Sequence, residues 1–197
     1  MTAAPRIGAL VLAAGASTRL GSPKQLIIYQ GAPLVRRAAI AAVDAGATQV
    51  VVVLGANESL IRPVLQGLAS VTTIMNADWA SGMSSSLAAG LRALNNATDY
   101  DAVLVTLADQ PLVDAAALKR LIAAFDDGHR LVASAYDKVQ GVPAVFGREH
   151  VAELMQLAGD AGAGRWLRSR SSQVTSIPMV VGSVDIDTPA DETRLSS

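Results

Sequence analysis

The chain has no cysteine in its 197 residues. That excludes disulfides, thiolate zinc sites and a cysteine nucleophile. Histidine is scarce too. His129 and His150 are the only two, and no Ser–His–Asp or H-E-x-x-H pattern arises. Aromatic residues make up 4% of the chain against 51% hydrophobic residues in all, so the core must be built from Ala, Val, Leu and Ile. Neither sign of charge dominates: 16 Lys and Arg stand against 17 Asp and Glu. Without a basic stripe, no nucleic-acid partner is expected. No apolar run approaches the roughly 20 residues of a membrane span. The opening Met1-Thr2-Ala3-Ala4-Pro5-Arg6 has no charged segment followed by an apolar core, so no signal peptide is expected and the cytoplasm is the expected compartment.

What is present is a regular alternation. Apolar runs that suit strands lie at Ile7–Leu12, Gln49–Leu54, Val71–Met75, Ala102–Thr106, Leu131–Ala135, Ala144–Phe146 and Val174–Ile177. Helical patterns lie at Leu34–Ala45, Leu60–Leu68, Ser84–Leu94 and Asp114–Phe125. Pro33 suits the first position of a helix, Gly46 a helix stop and Asp114 an N-cap. This βαβ rhythm predicts a three-layer α/β fold, a mainly parallel sheet with helices on both faces. The length suits a single domain spanning 1–197. In such sheets ligands bind at the carboxyl ends of strands.

Each unusual stretch follows a strand candidate. The first reads LVLAAGASTRLGSPKQL, from Leu10 to Leu26. The apolar run stops at Leu12, and Ala13, Ala14 and Gly15 follow without bulk, so backbone N–H groups can approach phosphate oxygens. Arg19 and Lys24 can add positive charge. The pattern is neither G-x-x-x-x-G-K-[ST] nor G-x-G-x-x-G, and the same small residues would also suit a packing loop. The second stretch, Asn76 to Ser86, puts Trp79 in a polar loop and three serines at a helix start. That arrangement serves either as an anion or base-edge site or as a capping cluster. The third, Leu107-Ala108-Asp109-Gln110-Pro111, sets a carboxylate at a strand end. Mg²⁺ commonly takes only one or two carboxylates plus substrate phosphates. The fourth, Asp185-Ile186-Asp187-Thr188-Pro189, places two carboxylates on one face of an extended segment, ahead of a helix-like Ala190–Leu195.

Together these four motifs resemble the MobA-like nucleotidyltransferases, and within them the molybdenum cofactor cytidylyltransferase branch. The resemblance runs nearly end to end. It implies a Rossmann-like nucleotide-diphospho-sugar transferase fold. It also implies transfer of CMP from CTP to molybdenum–molybdopterin with release of pyrophosphate. The catalytic residues would be Arg19, Lys24, Asp109 and Asp187. The nucleotide would be held by Leu12–Gly15, Arg19, Lys24, Ser81, Gly82, Met83, Ser84 and Asp109. Mg²⁺, with Mn²⁺ as an alternative, would sit on Asp109 and Asp187; Asp185 is a weaker candidate. A molybdoenzyme or its chaperone is the implied protein partner.

One departure concerns the acceptor. Gln140-Gly141-Val142-Pro143 stands where many molybdopterin enzymes carry a proline-glycine-histidine sequence. The glycine-rich Gly159–Gly164 stretch with Arg165 could wrap an anionic acceptor or simply connect to a helix at Arg165–Ser169. Two further readings stay open: another phosphorylated acceptor, including the guanylyl branch whose motif has glycine where this chain has Ala14, and a non-catalytic carrier of nucleotide or cofactor.

Overall fold

A computed structural model describes residues 4–18, 20–136, 139–179, 186 and 191. Its centre is a seven-stranded sheet ordered β5-β4-β1-β6-β8-β7-β9. The strands are β1 (Ile7–Ala13), β4 (Gln49–Leu54), β5 (Val71–Met75), β6 (Ala102–Leu107), β7 (Leu131–Tyr136), β8 (Val139–Gly147) and β9 (Thr175–Pro178). A separate small hairpin joins β2 (Ile28–Tyr29) to β3 (Ala32–Pro33). Every pairing in the large sheet is parallel except those of β8, which runs antiparallel to β6 and β7.

The helices are α1 (Leu34–Asp44), α2 (Glu58–Ile61), α3 (Met83–Ala97), α4 (Ala115–Asp126), α5 (Val151–Leu154) and α6 (Ala163–Ser169). Side-chain alternation along β1 sorts the core into two layers. Ala9, Val11 and Ala13 pack with Val35 and Ala39 of α1 and with Leu118 and Leu121 of α4. Leu10 faces the other way, toward Leu87, Leu91 and Leu94 of α3 and Trp166 and Leu167 of α6. A sheet covered on both faces is buried on both, which is why its strands read as continuous apolar runs.

The helix expected over Leu60–Leu68 is shorter. α2 ends at Ile61 and a 3₁₀ turn takes over at Arg62–Leu65. Pro63 is the reason, since it has no N–H to continue the helical ladder. The strand expected at Ala144–Phe146 is longer and includes the Gln140–Pro143 stretch. A register shift absorbs the proline: Ala133 pairs with Ala144 but Ser134 pairs with Gly141. The Ser134 hydroxyl donates to the Pro143 carbonyl at 2.6 Å, which satisfies that backbone group inside the core. Asp114 caps α4 as its sequence position suggests, accepting from the Ala117 N–H at 2.8 Å.

Chain order reverses at β1. The strands β4 and β5 build outward on one side and β6 returns to the other. In open α/β sheets the crevice outside the carboxyl ends of the strands at such a reversal is where ligands bind.

Candidate active site

The crevice is there. A cavity of about 380 Å³ opens at the carboxyl ends of β1 and β6. Its walls come from three places. Leu12, Ala13, Ala14, Gly15 and Ala16 end β1, Leu107, Ala108 and Asp109 end β6, and Trp79, Ala80, Gly82, Met83 and Ser86 form the entry to α3. Lys24, Gln25 and Asp160 complete it.

β1 and β6 are locked in register up to the site. Leu12 pairs with Leu107, and one residue on the Ala108 N–H donates to the Leu12 carbonyl at 3.1 Å. This sets Asp109 beside the β1 loop although 94 positions separate it from Gly15. The Gln110 amide reaches the Val142 carbonyl of β8 at 3.3 Å and holds the turn from the other side. Across the crevice, the Lys24 ammonium donates to Asp109 Oδ2 at 2.5 Å. Both side chains are mostly buried, 17% and 18% exposed. The other carboxylate oxygen, Oδ1, is buried with no hydrogen-bond partner among the described residues.

That orphaned oxygen is the observation that fits a metal. A hard divalent cation takes carboxylate oxygen, and here one oxygen is presented without a competing donor. Among the described residues no three His, Asp or Glu side chains gather at one point. Among the described residues, the charged groups that line the cavity are Lys24 against Asp109 and Asp160. One cation and two carboxylates make a net charge of −1. A polyphosphate entering it would need a counter-ion, and a divalent cation held by Asp109 would supply one.

The second wall depends on glycine. Gly82 has φ +114°, and a Cβ there would lie 2.5 Å from the Gly159 carbonyl oxygen. The close approach lets the Gly159 loop dock on the start of α3, where the Gly159 carbonyl accepts from both the Ser84 N–H at 3.2 Å and the Ser84 hydroxyl at 2.7 Å. Gly55 works similarly beneath the pocket, where a Cβ would meet the Ala14 carbonyl and Trp79 Cβ, each at 2.6 Å.

Of the residues singled out from sequence, the structure brings Leu12–Gly15, Lys24, Gly82, Met83 and Asp109 to one cavity. Ser81 and Ser84 are beside it but not on its wall. The Ser81 hydroxyl donates to the Asp78 carbonyl at 2.7 Å, and that of Ser84 holds the Gly159 loop. Arg19, Asp185 and Asp187 lie outside the described residues. Between the last two, Ile186 is fully buried and its N–H donates to the Asp109 carbonyl at 3.2 Å. Arg165 is exposed on α6 and is not among the lining residues. Sequence reasoning gave no ligand role to Gln25 or Asp160. Gln25 carried a signal, as an amide directly after the motif lysine. Asp160 carried none beyond its glycine neighbours.

The model of the MobA-like NTP transferase domain matches residues 9–174. The chain belongs to this family. Over its whole length it is 34% identical to nicotine blue oxidoreductase of Paenarthrobacter nicotinovorans, with 97% of each chain covered. It is 35% identical to molybdenum cofactor guanylyltransferase of Xanthomonas euvesicatoria over 63% of this chain and 57% of that one. Among solved structures, Rv0371c of Mycobacterium tuberculosis superposes with a TM-score of 0.78 at 30% identity, covering 98% and 99% of the two chains. A manganese complex of that protein superposes at 0.74, with 28% identity and coverage of 96% and 97%. The α/β sheet is thus shared with these relatives of known structure. Among the described residues no helix is long and apolar enough to cross a membrane.

Proposed function

We propose that this MobA-like nucleotidyltransferase transfers CMP from CTP to molybdenum–molybdopterin in the cytoplasm. A phosphate oxygen of the acceptor attacks the α-phosphorus in line. The bond to the bridging oxygen breaks, and pyrophosphate leaves with that oxygen and its electron pair. The acceptor is already a phosphate monoester, so little base assistance is needed. The site accordingly works by position and charge.

The backbone after β1 receives the phosphates, and Lys24 with Arg19 neutralises them. Gly82 and Met83 border the part of the pocket that takes base and ribose. Asp109, with Asp187 as the second ligand, holds the divalent ion, Mg²⁺ or Mn²⁺. Held by those two carboxylates, the ion would supply positive charge against the leaving pyrophosphate. The observation that carries the reading is the meeting of Lys24 and Asp109 at the carboxyl edge of β1 and β6, with one carboxylate oxygen left over. Ala14 favours CTP over GTP. The test is pyrophosphate release from CTP, GTP and ATP with molybdopterin and with a panel of sugar phosphates. Release from CTP with molybdopterin alone supports the full proposal. Release only with another nucleotide or acceptor moves it to a different branch of the family.

A second reading has one observation in its favour, the full-length likeness to an oxidoreductase. In it the same crevice would hold the nucleotide portion of a hydride donor. Oxidation of NADH or NADPH with an electron-accepting dye, in the absence of pyrophosphate release, selects this reading.

A further inference from the structure

Gln25 is 2% exposed, one of few polar side chains in the core. A buried amide must be satisfied or it costs stability, and this one is satisfied entirely by the loop that follows β1. Its Nε2 donates to the Ala13 carbonyl at 3.0 Å and to the Gly15 carbonyl at 2.8 Å. Its Oε1 accepts from the Ser17 hydroxyl at 3.3 Å. Ser17 in turn accepts from the Lys24 N–H at 3.1 Å and sits at φ +55°, a strained backbone angle for a serine. The loop from Ala13 to Ser17 is thus stitched at three points to a single side chain, and that side chain adjoins Lys24.

The stitching has a directional consequence. Across a planar trans peptide the C=O and the following N–H point opposite ways. By claiming the Gly15 carbonyl, the amide turns the Ala16 N–H away from itself. By claiming the Ala13 carbonyl, it does the same to the Ala14 N–H. The N–H groups of Gly15 and Ala16 donate to no acceptor among the described residues, and both residues line the crevice. Successive N–H groups held in a curve bind anions.

We propose that Gln25 is a positioning residue of the phosphate site, a side chain that never touches the nucleotide but fixes the curve of the 13–17 loop so that its N–H groups meet the phosphates. This rests on the nucleotide-site reading given above. Only a carboxamide fills the place, because the position requires two N–H donors and one acceptor from one neutral group. Leucine removes all three, and glutamate replaces the donors by an acceptor facing two carbonyls.

Inorganic triphosphate with Mg²⁺ is the probe, because it has no base and reads the loop alone. Calorimetric titration compares the wild-type chain with Gln25→Leu and Gln25→Glu at a temperature where circular dichroism shows each folded. A milder variant, Ser17→Ala, removes one stitch. The expected result is at least about tenfold weaker triphosphate binding for both Gln25 variants and about threefold for Ser17→Ala. Triphosphate affinity within twofold of wild type in a folded Gln25→Leu, with only the melting temperature lowered, overturns the proposal and leaves the nucleotidyl-transfer reading intact. A wild-type chain whose triphosphate binding depends on Gln25 yet that releases no pyrophosphate from any nucleotide overturns that reading instead. A wild-type chain that binds no triphosphate overturns both.

Discussion

Replacing Lys24 by methionine removes a charge from each of two functions, and the two respond in opposite directions. In the free protein the ammonium lies 2.5 Å from Asp109 Oδ2, with both side chains more than four-fifths buried. A hydrogen bond to a charged group contributes about 1.5–3 kcal/mol, and its loss leaves the partner's desolvation uncompensated. Because neither group is fully dry, the lower span applies rather than the 3–5 kcal/mol reported for deeply buried pairs. The variant should therefore be less stable by about 1.5–3 kcal/mol. The same loss applied to a triphosphate contact lowers kcat/KM by roughly 10- to 150-fold. Metal binding moves the other way. With the ammonium gone, both oxygens of Asp109 are open, so Mn²⁺ should bind the nucleotide-free variant about tenfold more tightly than it binds the wild type. The assays are urea unfolding, steady-state pyrophosphate release and Mn²⁺ titration followed by electron paramagnetic resonance. Unchanged or weaker Mn²⁺ binding in a folded Lys24→Met, together with kcat/KM within threefold of wild type, refutes the reasoning.

Gly82→Ala forces a side chain onto a residue at φ +114° and 2.5 Å from Gly159; a loss of about 1–3 kcal/mol is expected in urea unfolding, with faster proteolysis at the displaced 159 loop. Glu149 is held below its usual 4.5 by hydrogen bonds from Arg130, a bidentate pair at 2.8 and 2.9 Å. The stabilisation it gives is therefore present above its unfolded pKa and lost as pH falls through the lowered one. Both side chains are about half exposed, so Glu149→Gln should flatten the acid limb of the stability curve by under about 1 kcal/mol; a larger change, or one at alkaline pH, contradicts the assignment. Asp109→Asn and Asp187→Asn should each abolish most turnover, and the double variant should be little worse than either if, as proposed, both hold one ion. Additive losses would separate the two carboxylates into independent roles.

The sheet was legible because it is covered on both faces. Val50–Leu54 and Ala102–Val105 are buried throughout and read as unbroken apolar runs, and the three crevice motifs among the described residues sit where β1, β5 and β6 stop. What could not be read had physical reasons. The Leu60–Leu68 pattern is apolar at helical spacing, but Pro63 interrupts the hydrogen-bond ladder, which periodicity does not record. The extent of β8 was hidden because Gly141 and Pro143 look like a turn; only pairing with β7 and β6 makes a strand of them. Ser81 and Ser84 suggested ligand groups through their hydroxyls, yet these donate to backbone carbonyls, Ser81 to nearby Asp78 and Ser84 to the distant Gly159. Gln25 is the converse case. Nothing in an amide's spacing says that it points inward, and its role depends on a loop folding over it.

The claim on which the rest depends is that this crevice splits a nucleoside triphosphate at its α-phosphorus. Incubation of the chain with Mg²⁺, α-labelled CTP and molybdenum–molybdopterin tests it directly. One labelled cytosine dinucleotide is expected for each pyrophosphate released, and neither product from Asp109→Asn. Pyrophosphate release unchanged in Asp109→Asn, or no release from any triphosphate while a hydride donor is oxidised, would contradict it.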